Sequence, residues 1–438
     1  MAYPRFRIFM PFSELILSLR DALCGVGLEK TAEFAAAFAR ASGAERVVPV
    51  ASGRGGFRLL LEEMRLPRGS EIIFPAYTFH PMPVVAAECG LKPVFVDVER
   101  RSWTLDPEAL AARISPRTSA IVPTHLFGVA AQMERILAIA RERKVAVIED
   151  CAHALGALSS GRPVGSFGDA GLFTFAMSKS LPCWGGGAVI VREAGLADRM
   201  IARVSRATAP SGLAVLKDQA SNILALLITQ PALFPWTLYP LIRMATGKGN
   251  ARFDEPFLED VAPPATPPSD QKTVISDHRS LITSLSPFQA AVGLRQLRRF
   301  PDYIAHQTRN ARILREKLAG VPGIELQKED PAGGSAFLYV RARVEDPAGF
   351  RRRLLAAGID TKPDDMRDCA SLGIFGDSPP CPNAACLGGH CIELPCSPFY
   401  SASEMNGIAA RVTAAVAGRA SPGPDIGQGG PDKRFPGR

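Results

Sequence analysis

The sequence predicts an α/β protein, with a large unit built on a mostly parallel, helix-covered sheet and a smaller C-terminal α+β unit. Two observations carry this. Between residues 46 and 191, short apolar runs alternate with segments of helical period, the pattern of strands joined by crossover helices. Two of those runs, "VAVIED" ending at Asp150 and "GLFTFAMSK" ending at Lys179, also finish on opposite charges. Runs of that length read as strands buried on both faces. The acid and the lysine then meet at the rim of a parallel sheet, where open α/β folds bind ligands.

The elements follow in order. Residues 13–41 read as helical, with one polar and one apolar face. "ERVVPVASGRGGFRLLLEEM" reads as strand, glycine turn and helix. "SEIIFPAY" is a strand, "HPMPVVAAECG" a helix ending at Gly90 and "KPVFVDV" a strand. "DPEALAARI" is a helix with Asp106 as N-cap and Pro107 at its first position. "TSAIVPTHLFG" is a strand, "MERILAIARERK" a helix, and "VAVIED", "AGLFTF" and "GGAVIVRE" are strands. Residues 205–280 break the rhythm with "SNILALLITQPALFPWTLYPLIRM" and the Pro-rich loop "APPATPPSDQ". Pro231, Pro235 and Pro240 argue against a membrane-spanning helix. A long helix, "SPFQAAVGLRQLRRFPDYIAHQTRNARILREKL", precedes the small unit. The expected division is an N-terminal helical segment (1–45), a large domain (46–280) with an apolar insert at about 205–275, a long helix with the small domain (281–418), and a Gly/Pro-rich, disordered tail (419–438).

The bulk numbers exclude several classes. Apolar residues make up 47% of 438, enough for a large core, and charged residues 21%. The net charge of +8 comes from arginines spread along the chain, whereas a nucleic-acid binder clusters them. Spread this way, it suits attraction of an acidic substrate. The start, "MAYPRFRIFMPF", lacks the apolar core and cleavage site of a signal peptide. Nine scattered cysteines fit reduced thiols in a cytoplasm, the expected location, with peripheral contact at the inner membrane face as the alternative. Cys381, Cys386, Cys391 and Cys396 recur every five residues beside His390, a spacing looser than the C-x2-C pairs of zinc sites, so no metal is expected.

Lys179 and Asp150 suit one cofactor, pyridoxal phosphate, which needs a lysine for a Schiff base and an acid to keep its pyridine nitrogen protonated. A lysine between a buried strand and the run Gly185-Gly186-Gly187 is placed to lose hydration and become a free amine. Ser52 and Gly53 sit at a strand-to-helix turn, where backbone amides and the helix dipole bind phosphate, and Arg54 adds a charge. Thr174 offers a hydroxyl to the same group. Phe79 ends a strand where it can stack on a flat ring, and His153 follows Asp150 on the same loop.

The phrases "ASG" at 51–53, "FPAYTF", "KPVFVDV", "ISPRTSAIVPTHLFG", "VIEDCAHALGA", "GRPVGSFGDAGLFTF" and Lys179 together resemble the DegT/StrS family of pyridoxal-phosphate sugar aminotransferases. The resemblance covers about residues 20–200 and resumes at "SPFQAAVGLRQL" and "CIELPCSPFYSASEM". It implies the aspartate-aminotransferase fold (fold type I) with a seven-stranded sheet, and a homodimer with active sites at the subunit interface. It also implies transfer of an amino group, usually from glutamate, to a nucleotide-linked keto-sugar, as in polysaccharide, glycolipid or natural-product sugar synthesis. Lys179 would be the Schiff-base lysine, Asp150 the pyridinium partner, Phe79 the stacking ring and His153 a neighbour of the cofactor. Ser52, Gly53 and Thr174 would bind its phosphate. Ser180 stands where relatives have Asn, Gly185 where they have Glu, and Ile282-Thr283-Ser284-Leu285-Ser286 replaces a phrase whose Asn reaches the neighbouring subunit.

Those departures, with the apolar run 221–244, leave two alternatives: the same cofactor with a lipid-linked or non-nucleotide substrate, and a regulatory relative without turnover. The run itself must be covered by the fold, by a dimer partner or by lipid. We expect the dimer, with membrane contact the less favoured choice.

Overall fold

The computed structural model describes residues 2–5, 7–230, 232–247, 282–329, 333–362 and 364–418. The Pro-rich stretch 262–271 and the tail 419–438 lie outside the described residues.

A seven-stranded sheet runs, in spatial order, Val47–Val50, Gly187–Val191, Ala170–Thr174, Ala146–Asp150, Thr118–Ile121, Glu71–Pro75 and Lys92–Val96. The five strands from Ala170–Thr174 to Lys92–Val96 pair parallel, while Gly187–Val191 pairs antiparallel with both neighbours. The inner strands are buried on both faces, which is why their sequences are apolar without alternation. Parallel neighbours need crossovers, supplied here by helices such as Pro81–Glu88, Pro107–Arg113 and Met133–Arg143. Asp106 caps the second of these by accepting from the amides of Glu108 and Ala109.

The N-terminal region departs from a single amphipathic helix. It forms two, Phe12–Cys24 and Glu29–Ser42, because Gly25 takes a φ of +80° and breaks the period. The second helix buries Phe34 and Phe38 against Phe173 and Phe175, with ring centroids 5.2–5.4 Å apart between the two segments. The long helix Pro287–Leu318 opens with a capping box between Ser286 and Gln289 and runs on through Pro301. Its last turns, with Ala311, Leu314 and Leu318, enter a second core built around Phe337, Ile392 and Met405. That core covers a three-stranded antiparallel sheet of Glu325–Leu326, Val340–Arg343 and Cys391–Leu394.

The described part of the apolar insert forms three short helices, Gly212–Asp218, Ala220–Ile228 and Leu238–Gly247. Leu226 and Phe234 are buried. The expectation that the run be covered is only partly met within this chain, since Trp236 is 84% exposed and Leu224, Leu241 and Met244 are exposed beside it. Helices this short have one face to bury, and this run is apolar on more than one. No helix among the described residues is long and apolar enough to cross a membrane.

The turn into strand Gly187–Val191 fixes the geometry that follows. Gly185 and Gly186 hold φ values of +96° and +97°, and a Cβ on Gly186 would lie 2.3 Å from Leu285 Cδ1. Gly186→Ala therefore combines a left-handed backbone with a clash, and should cost about 1–3 kcal/mol. Urea unfolding of the variant against the parent checks this; an unchanged midpoint would contradict it.

Candidate functional site

At the rim of the sheet lies one cavity of about 980 Å³. Ser52, Gly53, Arg54, Phe79, Asp150, His153, Thr174 and Lys179 all line it. Residues from five separate stretches of sequence thus face one space, because consecutive parallel strands deliver their ends to the same edge.

Asp150 ends its strand and is held there by the backbone. Its amide donates to Pro123 O at 2.9 Å and its carbonyl accepts from His125 N at 3.0 Å. Its Oδ1 accepts from Ala152 N at 3.0 Å. Burial pushes the carboxyl up from its ordinary value, and Lys179 and His125 offset part of that. Glu149, one residue earlier, points to the opposite face of the strand. There it accepts from the amides of Gly165, Phe167 and Gly168 at 2.7–2.8 Å and faces His125 Nε2 at 3.1 Å. Ala131 N donates to His125 Nδ1, so Nε2 carries the proton and donates to Glu149. Glu149 thereby braces the loop after Asp150.

His125, Glu149 and Cys151 bring ligand-type atoms within 4.8 Å of one another. The Glu149 oxygens are already occupied by four N–H donors, which makes the cluster a structural brace. The four regularly spaced cysteines do not meet as a set, since Cys386 is exposed while Cys381, Cys391 and Cys396 are buried.

Lys179 sits in the turn between Ala170–Thr174 and the glycine run, its amide donating to Ala176 O at 2.9 Å. Its amine is pushed down from 10.5 to about 8. Burial is the largest cause; Lys362 adds to it, and Asp365, Asp150 and Glu393 oppose it. His153 stacks on Phe127, with centroids 5.5 Å apart and planes at 16°. Burial holds it well below its ordinary value, so the ring is neutral, and its buried Nδ1 has no protein partner.

At the other end of the cavity, Ser52 caps helix Gly53–Met64, its Oγ accepting from Gly55 N at 3.0 Å. A Cβ on Gly53 would come within 3.1 Å of Thr174 Cβ, so any larger residue there would require Thr174 to shift. Thr174 Oγ1 donates weakly, at 3.4 Å, to Gly186 O. Arg54 and the half-buried Phe79 complete the lining on this side.

Sequence reasoning missed a group from the small domain. Tyr339, Lys362, Asp365 and Glu393 also face the cavity. Tyr339 Oη donates to Ser178 O at 2.7 Å, tying the small domain to the residue before the lysine. Lys362 pairs with Asp365 at 3.0 Å. Behind them Arg341, fully buried, reaches Asp364, Asp365 and Glu393 at 2.8–3.3 Å. Lys362 and Arg341 hold Asp365 well below the ordinary carboxylate range, whereas burial raises Asp364 to about 6. No local signal marked this group: Arg341 shares its strand with Arg343, and a single charge, Glu393, stands in Cys391–Leu394. Thr283, in the segment that departs from the family phrase, lines the cavity of its own chain, and its carbonyl accepts from Ala51 N at 2.9 Å.

Comparison with known proteins follows this geometry. The model of the DegT/DnrJ/EryC1/StrS aminotransferase family matches residues 20–215 and 267–413. A UDP-N-acetyl-3-dehydro-alpha-D-glucosamine 3-aminotransferase from Acidithiobacillus ferrooxidans is 42% identical over 150 residues, which is 34% of this chain and 41% of that protein. The chain thus matches less than half the length of that relative. The erythromycin biosynthesis sensory transduction protein EryC1 from Saccharopolyspora erythraea is 28% identical over 87% of this chain and 88% of its own. The crystal structure of the aminotransferase TlmJ from Streptoalloteichus hindustanus superposes with a TM-score of 0.73 at 22% identity, covering 95% of this chain and 99% of that one, so the two share the fold. With the family model spanning most of the chain, this protein belongs to the DegT/DnrJ/EryC1/StrS aminotransferase family.

Proposed function

We propose that the chain is a pyridoxal-phosphate-dependent aminotransferase that moves an amino group, taken from glutamate, to the carbonyl of a keto-sugar. One observation carries this reading. Lys179, with its amine pushed down to about 8, and Asp150, a buried carboxylate, face the same cavity at the sheet rim. The name of the Acidithiobacillus relative, a sugar 3-aminotransferase, supports the substrate class.

The residues present fit the cofactor. The donor set has one reactive amine, one buried carboxylate and a capped helix N-terminus whose first residue is a glycine packed closely on Thr174. The unpartnered, buried Nδ1 of His153 is a polar atom that awaits a ligand. When bound, the cofactor supplies a carbonyl for the amine and an electron-withdrawing ring.

Each side chain then has a task. Lys179 would hold the cofactor through Nζ. With an amine near 8, the same atom can take and return a proton close to neutral pH. Asp150 would keep the proton on the pyridine nitrogen, its carboxylate fixed by Ala152 N. The amides at Ser52 and Gly53, with Arg54 and Thr174, would bind the phosphate. Phe79 would cover one ring face, and neutral His153 would offer a hydrogen bond on the Asp150 side. A homodimer is part of the proposal. Phe12, Ile16, Leu19 and Leu23 leave an exposed apolar stripe on helix Phe12–Cys24, a surface suited to a second copy.

EryC1 carries the name of a sensory transduction protein, which supports a regulatory reading in which the fold is kept without turnover. Glutamate decides between the two: it should bleach the visible absorbance of the loaded protein only if amino transfer occurs.

Two substitutions test the assignments. Lys179→Ala should remove the borohydride-trapped cofactor adduct and the visible absorbance while the far-UV circular dichroism is unchanged; an adduct mapped to another lysine would sink the assignment. Asp150→Asn should retain cofactor yet lose roughly 10²- to 10⁴-fold in turnover with glutamate, the range for a lost proton-holding group. Near-normal single-turnover rates in that variant would contradict the role.

A further inference from the structure

The insert forms one wall of the cavity that holds Lys179. Its contribution includes Val215, Phe234, Leu238 and Ile242, of which Val215, Phe234 and Ile242 are otherwise buried. Asn222 and Thr229 on this wall bond within it. Asn222 Nδ2 donates to Gln219 Oε1 at 2.7 Å, and Thr229 Oγ1 donates to Ala225 O at 2.6 Å. Among the described residues the insert brings no lysine or arginine to the cavity, and its one charged contribution is the carboxylate of Asp218. Elsewhere in the lining, Arg5 pairs with Asp360 at 2.9 Å and Lys362 with Asp365 at 3.0 Å, and Arg54 stands at the start of helix Gly53–Met64, away from the insert in sequence and beside the residues assigned to the cofactor phosphate. A diphosphate on the described part of the insert wall would meet a carboxylate and no cation.

The described insert also exposes apolar side chains from these helices and the turn between the last two, alongside the exposed Lys217 and Arg243. Leu224, Leu233, Trp236, Leu241 and Met244 are exposed there. A wall that is apolar toward the cavity and continues as an apolar outer rim suits a ligand that starts in the site and extends beyond it. It does not suit a compact polar carrier.

We propose that the insert wall is a subsite for an apolar chain on the acceptor, so that the sugar is presented on an alkyl or polyprenyl lipid. The proposal rests on the aminotransferase reading and names the carrier that reading leaves open. The sugar carbonyl would face Lys179, and the first carbons of the chain would lie along Val215, Phe234, Leu238 and Ile242. The rest of the chain would leave over the exposed rim around Trp236.

Isothermal titration of the pyridoxal-phosphate-loaded full chain tests this with three probes: n-octyl glucoside below its micelle concentration, methyl glucoside, and uridine 5′-diphosphate. Each methylene that enters the subsite can gain up to about fourfold in affinity. The octyl glucoside should therefore bind at least about tenfold tighter than the methyl glucoside once a few methylenes are buried. It should also protect amides of Ala220–Ile228 and Leu238–Gly247 from hydrogen exchange. Leu238→Glu, at a half-buried position, should remove the preference while leaving the visible absorbance of the bound cofactor intact. Equal binding of the two glucosides, protection that misses those helices, or tighter binding of uridine diphosphate than of octyl glucoside would each overturn the proposal. The hydrogen-exchange readout needs no variant, so a misfolded Leu238→Glu does not rescue the idea. If the parent shows no visible absorbance with pyridoxal phosphate, the aminotransferase reading fails instead, and the two failures are told apart.

Discussion

The charge state of Lys179 depends on a contest between burial and attraction. Three carboxylates, Asp365, Asp150 and Glu393, act to keep the amine protonated, yet its pKa falls to about 8. Loss of hydration outweighs them, helped by Lys362. The arrangement that produces this is architectural. Lys179 lies between a strand buried up to its last residue and a turn of glycines, and Tyr339 from the small domain is tied to the preceding residue, Ser178. Were the turn open to water, the same carboxylates would leave an ordinary, protonated lysine.

The site needs close backbone approach at one end and fixed charges at the other, and the chain meets the two needs differently. At the phosphate-type end, glycine removes side chains where Gly53 meets Thr174 and where Gly186 meets Leu285. At the opposite end, Arg341 collects Asp364, Asp365 and Glu393 in a buried network. Removing one partner of such a network costs far more than the pair contributes in net stability, because a buried charge is left alone. Its effect is to orient Asp365 and Glu393 toward the cavity, so the small domain contributes position and field to chemistry carried out on the large one.

Much of this was legible in the sequence because the signals are local. Unbroken apolar runs gave the parallel strands, Asp106-Pro107 gave a helix start, and an acid and a lysine at two strand ends gave the rim. What was not legible depends on distant packing. The break at Gly25 depends on a backbone φ of +80°, which glycine permits but the sequence alone does not require. Arg341 and Glu393 sit in strands that look like core, and only their pairing across the small sheet gives them a reason to be there. The insert was recognised as apolar, but composition could not separate the faces of helices Gly212–Asp218, Ala220–Ile228 and Leu238–Gly247 that line the cavity from those that meet solvent.

The central claim is that burial lowers the Lys179 amine to about 8, so that a free-amine fraction exists near physiological pH, and its reactivity measures that directly. Cofactor-free protein would be treated briefly with trinitrobenzenesulfonate across a pH series, and the modification of Lys179 followed by peptide mass spectrometry. The account predicts half-maximal reactivity near pH 8, with surface lysines rising later. A midpoint for Lys179 near the ordinary value of 10.5 would show that the carboxylates, not burial, set its charge, and would contradict the account.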